Sequence, residues 1–256
     1  MNKRKFKVTW DLLVLLVQKD LRVRYRGSVL GYLWSMLNPL LYMGILSLVF
    51  SFVMKFKVEN YPIFILTGIV SWNLLHQSLM QGVHSIVSNG GLIRKVKLPI
   101  SLFPTATVAS VMVHFLLSLV AFFFVSIFLN FAVSWTWLLI PLILIPFAIF
   151  VWGLVMLVAS VNVYFRDVGH TLDPLLQLVF YGTPIIYPAE VIPEKFRYLL
   201  LLNPVTHYVE AMRDILYRSV IPDMTTMMTI CMLALVSAVM GMLTFKSLRG
   251  RFVYQL

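Results

Sequence analysis

The chain has 256 residues, 60% hydrophobic and only 12% charged, with a mean hydropathy of +0.89. A soluble domain of this size cannot hide that much apolar surface, because about half of an ordinary globular chain is apolar. A polytopic membrane protein is the class that remains. The net charge of +11 does not point to nucleic acid as a partner, since the basic residues flank apolar runs instead of covering a soluble face.

The first predicted element is a helix over 8–26, with Asp11 near its start and Arg22, Arg24 and Arg26 near its end, as the helix dipole favours. Its apolar run Leu12–Val17 is too short to span. The helix is expected to lie in the membrane interface, arginines toward lipid phosphates. No small-residue cleavage site follows it, so it reads as retained and not as a signal peptide.

Six spans are predicted after it, at 31–54, 61–80, 102–129, 137–161, 168–187 and 224–245. The fifth is the difficult one. Its apolar part, 174–187, is bracketed by Pro174, Pro184 and Pro188. Fourteen helical residues reach only about 21 Å, against a hydrocarbon core of about 30 Å. Either the helix extends back over 168–173 and takes Asp173 with it, or the segment joins a re-entrant structure. Residues 189–218 are amphipathic and too charged to span, and read as short re-entrant helices at the outer face. The predicted fold is therefore a single all-α integral membrane domain over 1–256. It has six transmembrane helices, an N-terminal amphipathic interface helix, and short re-entrant outer helices before the last span.

Between the second and third spans the chain does not make a short loop. Residues 82–99 turn polar, break at Gly90-Gly91 and end on Arg94, Lys95, Lys97 and Pro99. Of the 21 lysines and arginines, 15 fall on the side of this segment and the two termini, and 6 on the other. The excess of positive charge places that side in the cytosol. The segment then reads as a surface made to be held by a cytosolic partner.

Sequence motifs for chemistry are missing. There is no G-x-x-x-x-G-K-[ST], H-E-x-x-H or G-x-S-x-G, and the single cysteine, Cys231, lies in the last span. The five histidines are scattered and read as packing residues. Asp173 is the one ionisable candidate within a span, which argues against an ion-coupled carrier. The spans instead hold polar and aromatic side chains, among them Trp34, Tyr42, Trp72, Asn73, His76, Tyr181 and Tyr187. Half or more of these suit the membrane interfaces. A pathway of aromatics with few charges nevertheless fits a large uncharged substrate such as a glycan better than an ion. In the last span, Ala234/Ala238 and Ser237/Gly241 form small-residue pairs that permit close helix approach, for which packing within the chain is the commoner explanation.

Four stretches resemble the permease subunits of bacterial ABC exporters for O-antigen, teichoic acid and capsular polysaccharide. They are QKDLRVRYRGSVLGYLWSMLNPLL (18–41), FILTGIVSWNLL (64–75) with SIVSNGGLIRKVKLP (85–99), NVYFRDVGHTLDPLLQLVFYGTPIIYP (162–188) and LNPVTHYVEAMRDILY (202–217). The resemblance implies a bacterial inner-membrane protein with both termini cytosolic. It implies a homodimer joined by two copies of a separate ATPase subunit, which carries the ATP and Mg, leaving no cofactor in this chain. The implied substrate is a lipid-linked polysaccharide moved from cytosol to periplasm. It implies a channel lined largely by the first and fifth spans, and the aromatics above supply its candidates: Trp34, Tyr42, Trp72, Tyr181 and Tyr187. Asn89, Leu92, Arg94, Lys95 and Lys97 are nominated for ATPase docking, and Arg22, Arg24 and Arg26 for a lipid headgroup or diphosphate. One departure stands out: Leu98-Pro99-Ile100-Ser101 lacks the Arg-Glu pair common in the family at this place. Two other readings stay open from the residues alone. One is an ABC permease for a lipid or drug. The other is a membrane-embedded lipid-sugar transferase, which needs a carboxylate or histidine pair facing one cavity.

Overall fold

The computed structural model describes residues 3–53, 58–96 and 98–256. Among them every regular element is helical: α1 Lys3–Tyr25, α2 Leu33–Val53, α3 Tyr61–Gly82, α4 Gly90–Lys95, α5 Leu102–Phe128, α6 Ile140–Asn162, α7 Asp167–Tyr181, α8 Glu194–Leu202, α9 Pro204–Arg213, α10 Met224–Leu248 and α11 Phe252–Gln255. Five stretches are long and apolar enough to cross a membrane: Leu33–Phe50, Tyr61–Gly82, Leu102–Phe128, Trp135–Asn162 and Met224–Arg251. In hydrocarbon, a continuous helix satisfies its own backbone, and so such runs become helices.

The fifth predicted span is α7. It starts at Asp167, runs through Pro174 and Asp173, and stops at Tyr181. Its 15 residues cover only about 22 Å. Residues 182–188 form turns instead of more helix. Gly182 and Pro184 follow its end, whereas Pro174 lies within the helix and does not break it.

α3 is the axis of the bundle. It packs against α2, α5, α6, α7 and α9, and 16 of its 22 residues are buried. α6 and α10 make the closest pair. Ser237 Oγ donates to the Phe150 carbonyl at 2.7 Å. Gly153 and Gly241 face each other so closely that a Cβ on either would strike the other helix's backbone. The Ser237/Gly241 pair is thus spent on packing within the chain. α2 is the opposite case: it leans on α3 and α5, and only 6% of its span is buried.

Two glycines turn α1 into α2. Gly27 and Gly31 adopt φ +75° and +50°, values that cost a side-chain-bearing residue roughly 1 kcal/mol or more. The resulting elbow lays α1 across α5.

A buried cation holds the other end of the bundle. Arg213 is fully buried. Its Nη1 donates to Glu210 at 2.7 Å and to the Pro184 carbonyl, and its Nη2 donates to the Ile185 carbonyl at 2.7 Å. The guanidinium lies 3.7 Å over the Phe64 ring. It occupies a notch at Gly68, where a Cβ would sit 2.9 Å from Nη2. One side chain therefore ties α9 and the 182–188 turns to α3. Asn203 caps α9, accepting from Val205 N at 3.0 Å.

Candidate functional site

α2, α3, α5, α7 and the end of α1 enclose two adjoining cavities. The larger, about 520 Å³, is lined by Arg24, Tyr25, Trp34, Ser35, Asn38, Asn73, Gln77 and His114, with Ser28, Pro39 and Ser118 completing it. The smaller, about 240 Å³, is lined by Tyr42, Leu46, Ile69, Trp72, Asn73, His76, Gln177, Phe180 and Tyr181. Asn73 belongs to both, so the two adjoin along α3. Arg24 is the only fixed charge in these walls. The rest are rings, amides and hydroxyls, with the aliphatic Leu46 and Ile69 in the smaller cavity.

Four of the five channel candidates meet here. Trp34 lines the larger cavity, and Tyr42, Trp72 and Tyr181 line the smaller. They differ in setting. Trp72 is buried and stands edge-on to Phe180 at 5.3 Å. Tyr42 and Tyr181 are 63% and 65% exposed. Tyr187 lines neither cavity. Its hydroxyl donates to the Tyr181 carbonyl at 2.7 Å, so it braces the end of α7. Flat apolar faces interleaved with amides suit sugar rings, whose C–H faces stack and whose hydroxyls both donate and accept.

The larger cavity is held by a network that sequence reasoning missed. His114 Nδ1 lies 2.9 Å from Tyr25 Oη and 2.8 Å from Ser35 Oγ, and these two hydroxyls also bond each other. Ser118 Oγ donates to the Ser35 carbonyl at 3.1 Å. The end of α1 and the start of α2 are thereby fastened to α5. The signal lay in Tyr25 and Ser35, on either side of the two-glycine elbow, although nothing in sequence pairs them with a histidine 79 positions on.

The three arginines separate. Arg24 Nη1 donates to Gln77 Oε1 at 3.2 Å and opens on the larger cavity. Burial lowers its pKa, against the pull of Tyr25 and Asp20, yet a guanidinium stays cationic. Burial likewise raises the pKa of Asp20, with Lys19 and Arg24 opposing. All three arginines are exposed, but Arg22 and Arg26 line neither cavity.

His76 and Asp173 approach to 3.5 Å across α3 and α7, and Gln177 reaches the same carboxylate at 3.4 Å. His76 faces the smaller cavity while Asp173 is not among its walls.

The docking candidates gather at the basic end. A third cavity, about 360 Å³, separates α1 from the segment before α4. Lys19 Nζ bridges it to Asn89 Oδ1 at 2.8 Å, and Asn89 Nδ2 donates back to the Ser85 carbonyl at 2.8 Å. Asn89 thus links the two elements. Leu92 is 40% exposed, and Arg94 and Lys95 are exposed. Lys97 lies outside the described residues.

Comparison with known proteins covers nearly the whole chain. The family model described as ABC-2 type transporter matches residues 11–217. The chain is 34% identical over 246 residues to the O-antigen export system permease protein RfbA of Klebsiella pneumoniae, covering 95% of this chain and 94% of that protein. It is 33% identical to the protein of the same description from Myxococcus xanthus, at 94% of each. The polysialic acid transport protein KpsM of Escherichia coli is 27% identical, over 94% of this chain and 93% of that one.

Proposed function

The chain belongs to the ABC-2 type transporter family, and from that premise we propose that it is the permease subunit of an ATP-driven exporter of lipid-linked polysaccharide, of O-antigen type. One observation carries the reading. A path walled by Trp34, Tyr42, Trp72 and Tyr181, joined through Asn73 and nearly free of charge, occurs in a chain similar end to end to O-antigen export permeases. ATP is hydrolysed on a separate subunit, which also holds the Mg.

In this reading α7 and the 182–188 turns complete a sixth crossing, and α8 and α9 dip into the outer leaflet. Both termini and α4 face the cytosol of a bacterial inner membrane. Two copies pair through their bare α2 faces with α7 beside them, enclosing the path, and two ATPase subunits sit beneath. The prediction of 15 cytosolic cations against 6 outside supports that orientation. Leu92, Arg94 and Lys95 face the ATPase, with Asn89 holding α1 to the same unit. Lys97 belongs to the same proposal. Arg24 receives the diphosphate of the lipid carrier at the mouth of the larger cavity, while Arg22 and Arg26 rest on lipid headgroups. Tyr187 keeps α7 in place. Closure of the ATPase pair pushes on α4 and α1, and α3 carries the shift to the path.

The test is genetic and chemical. Deleting the gene in its host is expected to remove long glycan from the cell surface while lipid-linked glycan accumulates inside. Restoring the chain with its ATPase reverses both. Unchanged surface glycan in the deletion strain overturns the reading.

A further inference from the structure

After α10 the chain does not leave the bundle. A tight turn at Arg249–Arg251 leads into α11, which folds back under α4. Phe252 is fully buried and enters the apolar cluster that holds Ile86 and Ile93 of the coupling region. Phe245 meets its ring edge-on at 5.7 Å. Tyr164 Oη donates to the Leu248 carbonyl at 2.8 Å, fixing the point where the turn begins. The side chain of Leu256 lies against Gly90, where a Cβ would be 3.3 Å away. Arg94 donates to the Leu256 carbonyl. Residues 249–256 and α4 are thus one packed unit with a common outer face.

The charged side chains of that face are all of one sign. Arg94, Lys95, Arg249 and Arg251 are exposed, and neither 85–101 nor 246–256 contains an Asp or Glu. Tyr254 stands among them, 87% exposed. Arginine and tyrosine are the residue types that anchor protein interfaces. A headgroup anchor would turn its apolar ring to lipid; here Phe252 is spent on the underside of the coupling region.

We propose that residues 249–256 form, together with α4, a single docking surface for the ATPase subunit, and that the ATPase presents acidic side chains to it. The proposal rests on the reading of α4 as an ATPase-docking element. It adds a second route for thrust. A push on this surface reaches α10 directly and then α6 through the Gly153–Gly241 contact, without passing through α3.

The test co-expresses permease and ATPase, extracts the complex and measures the ATPase recovered per permease. Arg249→Glu with Arg251→Glu is expected to lower recovery about ten-fold, with permease abundance and membrane orientation unchanged. Should charge reversal keep the chain out of the membrane, Arg249→Gln with Arg251→Gln decides, with a drop of about three-fold expected and parental recovery overturning the proposal. Parental recovery in the reversed pair, with loss in Arg94→Glu/Lys95→Glu, overturns it and leaves the docking role of α4 standing. Parental recovery in both sets removes that reading as well. Lost binding to phosphatidylglycerol vesicles with recovery intact assigns the face to lipid and also overturns the proposal.

Discussion

α2 and α10 are both apolar spans of similar length, yet they are built for different surroundings. α10 meets α6 backbone to backbone, through glycine and serine, and loses no space to side chains. α2 touches its own chain along one edge and leaves Leu41, Tyr42, Ile45 and Leu48 uncovered. Between helices in lipid the attraction comes from close packing, since the hydrocarbon is as apolar as leucine. The α6–α10 pair has that packing already. α2 has little of it, and gains it only against another surface. One pair is scaffold, and the other helix is available to move or to be covered.

The contrast can be broken most sharply at the scaffold. Gly241→Leu is expected to drive α10 off α6 and cut the amount of chain in the membrane by about ten-fold or more, because nothing flexible can yield there. Immunoblotting of washed membranes measures it, and normal abundance would show that the pair is looser than described. Arg213→Ala comes next. It leaves Glu210 with Arg218 alone and frees the buried Pro184 and Ile185 carbonyls, a loss of about 1–3 kcal/mol for each acceptor left unmet. A lower midpoint for thermal aggregation of the solubilised chain is expected, and Arg213→Lys, which keeps the charge without the fork, should recover only part of it.

On the α2 side the effects are smaller and fall on transport. Tyr42→Ala should leave abundance unchanged and slow glycan export about three- to ten-fold, roughly what one stacked ring contributes. Pulse labelling of surface glycan reads this directly; a parallel fall in abundance would move Tyr42 into the fold. Arg24→Gln should slow export about two- to three-fold, whereas Arg22→Gln should stay near parental rates, as expected for an exposed headgroup contact. Equal effects at both positions would erase the distinction between cavity mouth and headgroup.

The same contrast explains what could be read in advance. Five long apolar helices were legible because lipid demands them, and 61–80 was expected where Tyr61–Gly82 stands. Which face of a span points inward was not. Core and lipid are both apolar, so Trp72, buried, and Tyr42, exposed, look alike in sequence. The start of α7 was legible, since 168–187 was expected and the helix begins at Asp167 and absorbs Pro174 with α3 and α6 packed beside it; its end at Tyr181 was not. Arg213 was counted as one more outer charge. Its burial depends on carbonyls 28 and 29 positions earlier, a relation that no local pattern carries. The coupling segment was visible by charge, but its support from Phe252 required two distant stretches to meet.

The notch at Gly68 has a consequence for how this chain can diverge. A methyl group at position 68 and a guanidinium at position 213 compete for the same volume. Neither site is free to vary alone, though 145 positions separate them in the sequence. A descendant that acquires a side chain at 68 has to shorten the residue at 213, and then find another donor for the two carbonyls it abandons. The pair should therefore change together or not at all.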